Sequence, residues 1–126
     1  MIQFDTSFLI RALVRGSRED RRLRRWLAEA RAVGISSIAW AEFLCGPVEE
    51  SEMKLAHHIV GEPIPFTPTD GATAADLFNR SGRRRGSFLD CLIAAPAVSA
   101  GAELATTNEK DFRRFEAMGL RLVHLG

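Results

Sequence analysis

Three acidic side chains stand apart from the other charges on this chain. Asp5 is the only charged residue among positions 1–10, Glu42 the only one among 32–48, and Asp90 the only one among 86–102. Each interrupts a stretch that otherwise reads as core. Removing an ionised carboxylate from water costs several kcal/mol unless donors or a cation compensate it. Two solutions are open: each acid has its own hydrogen-bond donors, or the three share a cation. Clustered carboxylates repel one another, and a hard ion that prefers oxygen, Mg²⁺ or Mn²⁺, relieves the repulsion while keeping water ligands free. A site of that kind suits phosphodiester hydrolysis, which needs an activated water and a stabilised leaving oxygen.

Plainer roles compete for the same residues. Asp5 follows an apolar segment and can cap the next helix. Asp90 lies three residues after Ser87, the spacing of a capping box. Glu42 is five residues past Ser37, outside that spacing, and its helical neighbours Ile38, Ala41 and Cys45 predict that it points into or along an apolar face. Asp70 and Asp76 read as helix-capping and solvent-exposed acids. His57, His58 and His124 are scattered and read as surface or packing residues, with no Ser/His/Asp ordering and no Gly-rich phosphate loop. Cys45 and Cys91 fit no zinc spacing and are expected as free thiols among apolar neighbours in a reducing cytosol.

The elements that must position these acids follow from periodicity and punctuation. Ile2 to Phe4 reads as a strand running into the capping set Asp5-Thr6-Ser7. Over 18–32, Leu23, Trp26, Leu27 and Ala30 form the stripe of an amphipathic helix, with arginines on its other face. Gly34 is expected to break that helix before a brief strand over 35–37, whose serine end caps a helix over 38–45 stopped by Gly46-Pro47. A helix over 49–59, an extended proline segment over 63–67 as a candidate edge strand, and a helix capped by Thr69 or Asp70 and ending at Arg80 come next. A basic loop over 82–86 then leads to a helix from Ser87 to Gly101, a strand over 103–106, a helix over 110–118 and a strand over 120–124. Pro96 inside the helix of Asp90 should remove a backbone hydrogen bond and clash with the Leu92 carbonyl, costing about 3 kcal/mol or kinking the helix. Strands alternating with helices argue for a parallel sheet covered on both faces, with its strand ends, and any ligand, at one rim.

With 126 residues, 46% hydrophobic and 26% charged, the chain has the balance of one globular domain spanning 1–126. No apolar run approaches the roughly 20 residues of a membrane helix, and no signal-peptide pattern opens the sequence, so a cytoplasmic location is expected. The net charge of +1 gives no case for a polyanionic partner, but the basic residues are clustered. Arg21, Arg22, Arg24 and Arg25 share one helix, and Arg83, Arg84 and Arg85 form a run. Either cluster can meet phosphates or simply face solvent.

Four segments together carry a family resemblance. Asp5-Thr6-Ser7-Phe8-Leu9-Ile10, Ala39-Trp40-Ala41-Glu42-Phe43-Leu44-Cys45-Gly46, Leu89-Asp90-Cys91-Leu92-Ile93-Ala94-Ala95 and Ala105-Thr106-Thr107-Asn108-Glu109-Lys110-Asp111-Phe112 resemble, in order and spacing, the motifs of PIN domains, and among these the VapC-type toxins of bacterial toxin–antitoxin pairs. The resemblance implies a three-layer α/β/α sandwich with a short central parallel sheet. It also implies endoribonuclease activity with Mg²⁺ or Mn²⁺, single-stranded or structured RNA as substrate, homodimerisation, and a VapB-type antitoxin whose C-terminal segment covers the site. Carried onto this chain, Asp5, Glu42 and Asp90 hold the metal. Asn108 stands where many members have aspartate, so either Asn108 as a neutral metal ligand or Asp111 as a catalytic charge completes the shell. Thr6 and Thr106 orient metal-bound waters, or serve as ordinary cap and strand contacts. The competing class is a catalytically inactive PIN-fold domain that binds RNA or a partner, and a metal-dependent DNase differs from the main reading only in substrate.

Overall fold

The computed structural model describes residues 1–124, so the last two residues of the expected domain lie outside it. Four short strands form one parallel sheet: β1 (Ile2–Phe4), β2 (Val33–Ile35), β3 (Glu103–Ala105) and β4 (Arg121–Leu122), in the order β2-β1-β3-β4. Ile2 pairs with Val33 on one side and Glu103 on the other, and Phe4 with Ile35 and Ala105. All three residues of β1 are buried, as a central strand covered on both faces requires.

Seven α-helices connect and cover the sheet: α1 (Thr6–Ala12), α2 (Arg18–Ala28), α3 (Ser37–Cys45), α4 (Glu50–Val60), α5 (Pro68–Arg80), α6 (Phe88–Ala100) and α7 (Glu109–Phe112), the last continuing into a 3₁₀ turn over Arg113–Met118. This is the layered α/β architecture the motifs imply. Phe4, Phe8 and Trp26 stack at the centre, with ring centroids 4.7 to 6.2 Å apart, tying β1 to α1 and α2. No helix among the described residues is long and apolar enough to cross a membrane.

Several local expectations are corrected. The α2 helix ends at Ala28, because Ala30 takes a positive φ of 57° and the Arg31 amide turns back to the Trp26 carbonyl. Gly34 therefore breaks nothing. It lies within β2, where a Cβ would come within 3.3 Å of Ile64. Leu27 and Ala30 drop out of the buried stripe, and Leu27 is 47% exposed. The proline segment makes a single bridge, Ser36 to Ile64, and no strand. Thr67 caps α5, and the Asp70 carboxylate at the third position accepts a bond from the Thr67 amide. Cys45 is exposed, while Cys91 is buried, and both are free thiols. The α6 helix runs unbroken through Pro96, which is buried in its interior, so the backbone cost there is met by packing rather than by a break.

Candidate active site

Asp5 leaves the carboxyl end of β1 and caps α1. Its Oδ1 accepts bonds of 2.8 Å from both the Phe8 amide and the Ser7 hydroxyl. The capping role is therefore real, and it leaves Oδ2, which accepts from the Thr106 hydroxyl at the end of β3. Thr106 is fully buried and itself accepts from the Asn108 amide at 2.9 Å, which fixes its orientation. Asp5 is 3% exposed. Burial pushes its carboxyl above the ordinary aspartate value; the bonds from Thr106, Phe8 and Ser7 pull the other way without restoring it, and the charge of Glu42 adds to the rise.

Glu42 is set by the start of α3, where the Ser36 hydroxyl caps the Ala39 amide at 3.2 Å. Its Oε1 lies 2.5 Å from the Thr6 hydroxyl, which also sits 3.1 Å from the Ala39 carbonyl. With one proton to give, Thr6 favours the shorter contact to the charged oxygen. The glutamate is half-buried, and its neighbours Ala41 and Cys45 are exposed, so it stands at the border of the core rather than inside an apolar face.

Asp90 sits in the first turn of α6, but Ser87 forms no capping box with it. The Ser87 hydroxyl and amide both donate to the Arg84 carbonyl, at 2.6 and 3.1 Å. The carboxylate instead faces Arg114, whose Nη2 is 3.6 Å from Oδ2. Partial burial raises the Asp90 pKa, the Asp111 charge raises it further, Arg114 opposes this, and Glu42 adds a smaller push. Like charges thus act on two of the acids: Glu42 on Asp5, and Asp111 and, less, Glu42 on Asp90.

Comparison with known proteins identifies the family. The family profile described as "PIN domain" matches residues 2–118. The chain belongs to the PIN domain family. Among solved structures, VapBC2 from Rickettsia felis, determined bound to a DNA fragment from its promoter, is 25% identical with a TM-score of 0.77, covering 98% of each chain. A toxin–antitoxin complex from Klebsiella pneumoniae is 21% identical with a TM-score of 0.76, over 100% of this chain and 98% of that one. FitAcB from Neisseria gonorrhoeae is 18% identical with a TM-score of 0.74, over 99% and 98%. No curated protein sequence matches the chain.

In this PIN domain the acids and threonines of the rim offer oxygen atoms, the kind of donor that suits a hard divalent cation. Among the described residues, no three His, Cys, Asp or Glu side chains stand close enough to hold a metal as they are. Each carboxylate has a partner of its own: Thr106, Ser7 and the Phe8 amide for Asp5, Thr6 for Glu42, Arg114 for Asp90. These partners leave Asp5 and Asp90 above their ordinary pKa values, so the negative charge is incompletely offset, and a cation fits the donor set in kind.

Asn108 and Asp111 line one cleft of about 530 Å³ with Thr106 and Thr107, and Asp111 alone also lines a second, of about 220 Å³, with Asp90. The Asn108 side chain caps nothing. Asp111 is the acid whose charge raises the Asp90 pKa most, ahead of Glu42.

Two residues escaped the sequence reading. Ser7 donates to Asp5 and accepts from the Thr107 amide at 3.1 Å, a role beyond helix capping. Arg114 stacks 4.4 Å above the Phe115 ring and donates to the Asp111 carbonyl, yet its Nε and Nη2 are buried without a hydrogen-bond partner. Its only sequence signal is its place three residues past Asp111 and next to an aromatic.

Proposed function

We propose that this PIN domain is a Mg²⁺- or Mn²⁺-dependent endoribonuclease, the VapC-type toxin of a toxin–antitoxin pair. The observation that carries the reading is the placement of Asp5 at the carboxyl end of β1 against Thr106 at the end of β3, with Asp90 and Asp111 lining one cavity, and the raised pKa values of Asp5 and Asp90 accompany it. Asp5, Glu42 and Asp90 would hold the ion, and Asp111 would complete the negative shell, with Asn108 beside it as a neutral donor. When bound, the ion supplies an activated water and offsets charge on the phosphate and the leaving oxygen. Thr6 and Thr106 keep the Glu42 and Asp5 carboxylates oriented, as outer-shell donors do at metal sites. Arg114 and the arginines of the loop before α6 hold the phosphodiester through its oxygens.

A cognate antitoxin is part of the proposal. Leu27 and Leu55, 47% and 51% exposed, line a groove of about 330 Å³ with Leu23 and Ile59 between α2 and α4. An apolar antitoxin segment suits that surface, and the Rickettsia and Klebsiella relatives were both determined as toxin–antitoxin complexes. Homodimerisation rests on the family resemblance.

The deciding experiment is cleavage of a panel of cellular RNAs by the purified protein with Mg²⁺ and with EDTA, repeated with Asp90→Ala. Cleavage is expected only with metal and only in the parent, while circular dichroism of the variant stays unchanged. Full cleavage by Asp90→Ala would sink the reading. RNA binding indifferent to chelator, with no Mn²⁺ heat in calorimetry, would favour the inactive binding domain.

A further inference from the structure

The two arginine clusters, about sixty positions apart in sequence, lie at the two ends of a run of hollows that passes Asp111 and Asp90. Arg18, Arg21, Arg22 and Arg25 line a depression of about 260 Å³ on α2. Arg18 also lines the cleft of Thr106, Asn108, Lys110 and Asp111, and Asp111 in turn lines the cavity that holds Asp90, Arg84 and Arg85. Three consecutive hollows therefore share lining residues, Arg18 between the first two and Asp111 between the last two, and Asp90 and Asp111 are the proposed site acids along them.

The acids of α2 are spent elsewhere. Glu19 pairs with Arg11 and Arg18, and Asp20 with Arg24 and the Gly16 amide. Among the described residues Arg21, Arg22 and Arg25 face no carboxylate partner, and neither do Arg84 and Arg85. A row of cations without counter-charges, continuous with an acidic centre, is the electrostatic footprint of a polyanion that passes over that centre.

We propose that these hollows form one track for the backbone of a single-stranded RNA, with the α2 arginines and Arg84–Arg85 gripping phosphates on opposite sides of the cleaved bond. This rests on the nuclease reading and names its substrate path. A single strand is favoured because the track runs through three separate hollows past Asp111 and Asp90; a bendable backbone follows such a path, whereas a duplex presents a stiff convex surface.

The helix carries its own control. Arg24 is one residue from Arg25, but it is bound to Asp20 and faces the apolar groove between α2 and α4. Binding of a fluorescein-labelled single-stranded RNA, followed by anisotropy in EDTA across a salt series, compares the faces without cleavage. Each neutralised phosphate contributes about 0.7 to the slope of log affinity against log salt. Arg21→Gln/Arg25→Gln should therefore weaken binding and flatten the slope by about 1.4, as should Arg84→Gln/Arg85→Gln.

Arg24→Gln should change neither quantity. All of these are surface positions, and an unchanged melting temperature verifies folding. The track is refuted if Arg21→Gln/Arg25→Gln behaves like Arg24→Gln, if all three variants lose affinity equally, or if duplex DNA competes as well as the single strand. The nuclease reading fails separately, through metal-independent cleavage or full activity of Asp90→Ala.

Discussion

The Asp5–Glu42 half of the rim and the Asp90–Asp111 half hold like charges by opposite means. In the first, every donor is neutral: the Phe8 amide and the hydroxyls of Ser7, Thr106 and Thr6. Among the described residues no cation pairs with Asp5 or Glu42. In the second, Arg114 stands 3.6 Å from Asp90, with Arg84 and Arg85 in the same cavity. Neutral donors fix a carboxylate in place while leaving its charge intact, whereas a guanidinium fixes it and cancels part of the charge. On the proposed nuclease reading, the first half would supply the more fully charged ligands for a cation, and the second would hold the phosphate beside it.

Removing one acid from each half tests that division most severely. Asp5→Asn should lower kcat for RNA cleavage by more than the roughly 10–100-fold typical of outer-shell changes at metal sites. Asp111→Asn, whose residue is exposed and close to Arg114, should cost less. Equal losses in a single-turnover assay would erase the distinction between the halves.

Much of this arrangement is legible in the sequence, for a physical reason. Isolation of a charge within an apolar run is a one-dimensional trace of at least partial burial, so Asp5, Glu42 and Asp90 could be singled out and set near strand ends or helix starts. Asp5 does follow β1, Asp90 lies in the first turn of α6, and Glu42 lies inside α3. The rim itself followed from alternation of strands and helices. What eluded the sequence is pairing across the fold. Ser36 and Ser87 look alike as caps, yet Ser36 caps α3 while Ser87 bends back to Arg84, because the basic loop takes a positive φ at Arg83 and Gly86. Arg114 was hidden among neighbouring charges, and only the tertiary fold turns it from surface to site. The end of α2 was misplaced for a related reason: periodicity continues to Ala30, but the chain must turn back at Glu29 to enter β2.

A milder break targets the neutral donors. Thr106→Val and Thr6→Val keep shape and remove one hydroxyl each, so Asp5 Oδ2 and Glu42 lose the contact that orients them. Mn²⁺ affinity measured by calorimetry should fall within the range of about 10–100-fold seen for outer-shell partners. The same titration on Arg114→Met should give a smaller change, since Arg114 faces Asp90 alone among the three proposed ligands. A larger loss in Arg114→Met than in Thr106→Val would reverse the roles of the halves.

The smallest effect is on stability in the absence of metal, and its sign follows from Asp5. Its carboxyl is raised in the folded protein, chiefly by burial, so the native state takes up a proton at a higher pH than the unfolded chain does. Where the unfolded state binds fewer protons, unfolding free energy falls as pH rises. The ionised Asp5 is therefore a native-state cost at neutral pH, and the cost disappears as pH falls through the raised pKa. Asparagine removes the charge and still caps a helix about as well as aspartate, and its Oδ1 can keep the Phe8 bond. In EDTA, Asp5→Asn should melt above the parent at pH 7, and the gap should close on acidification. Asp20 titrates in the opposite sense in both proteins, since its bonds from the Gly16 amide and Arg24 lower its pKa, so it cancels from the difference. A melting temperature for Asp5→Asn that lies below the parent at every pH would mean that the neutral donors of this half already satisfy the charge. Its claim on a cation would go with that result.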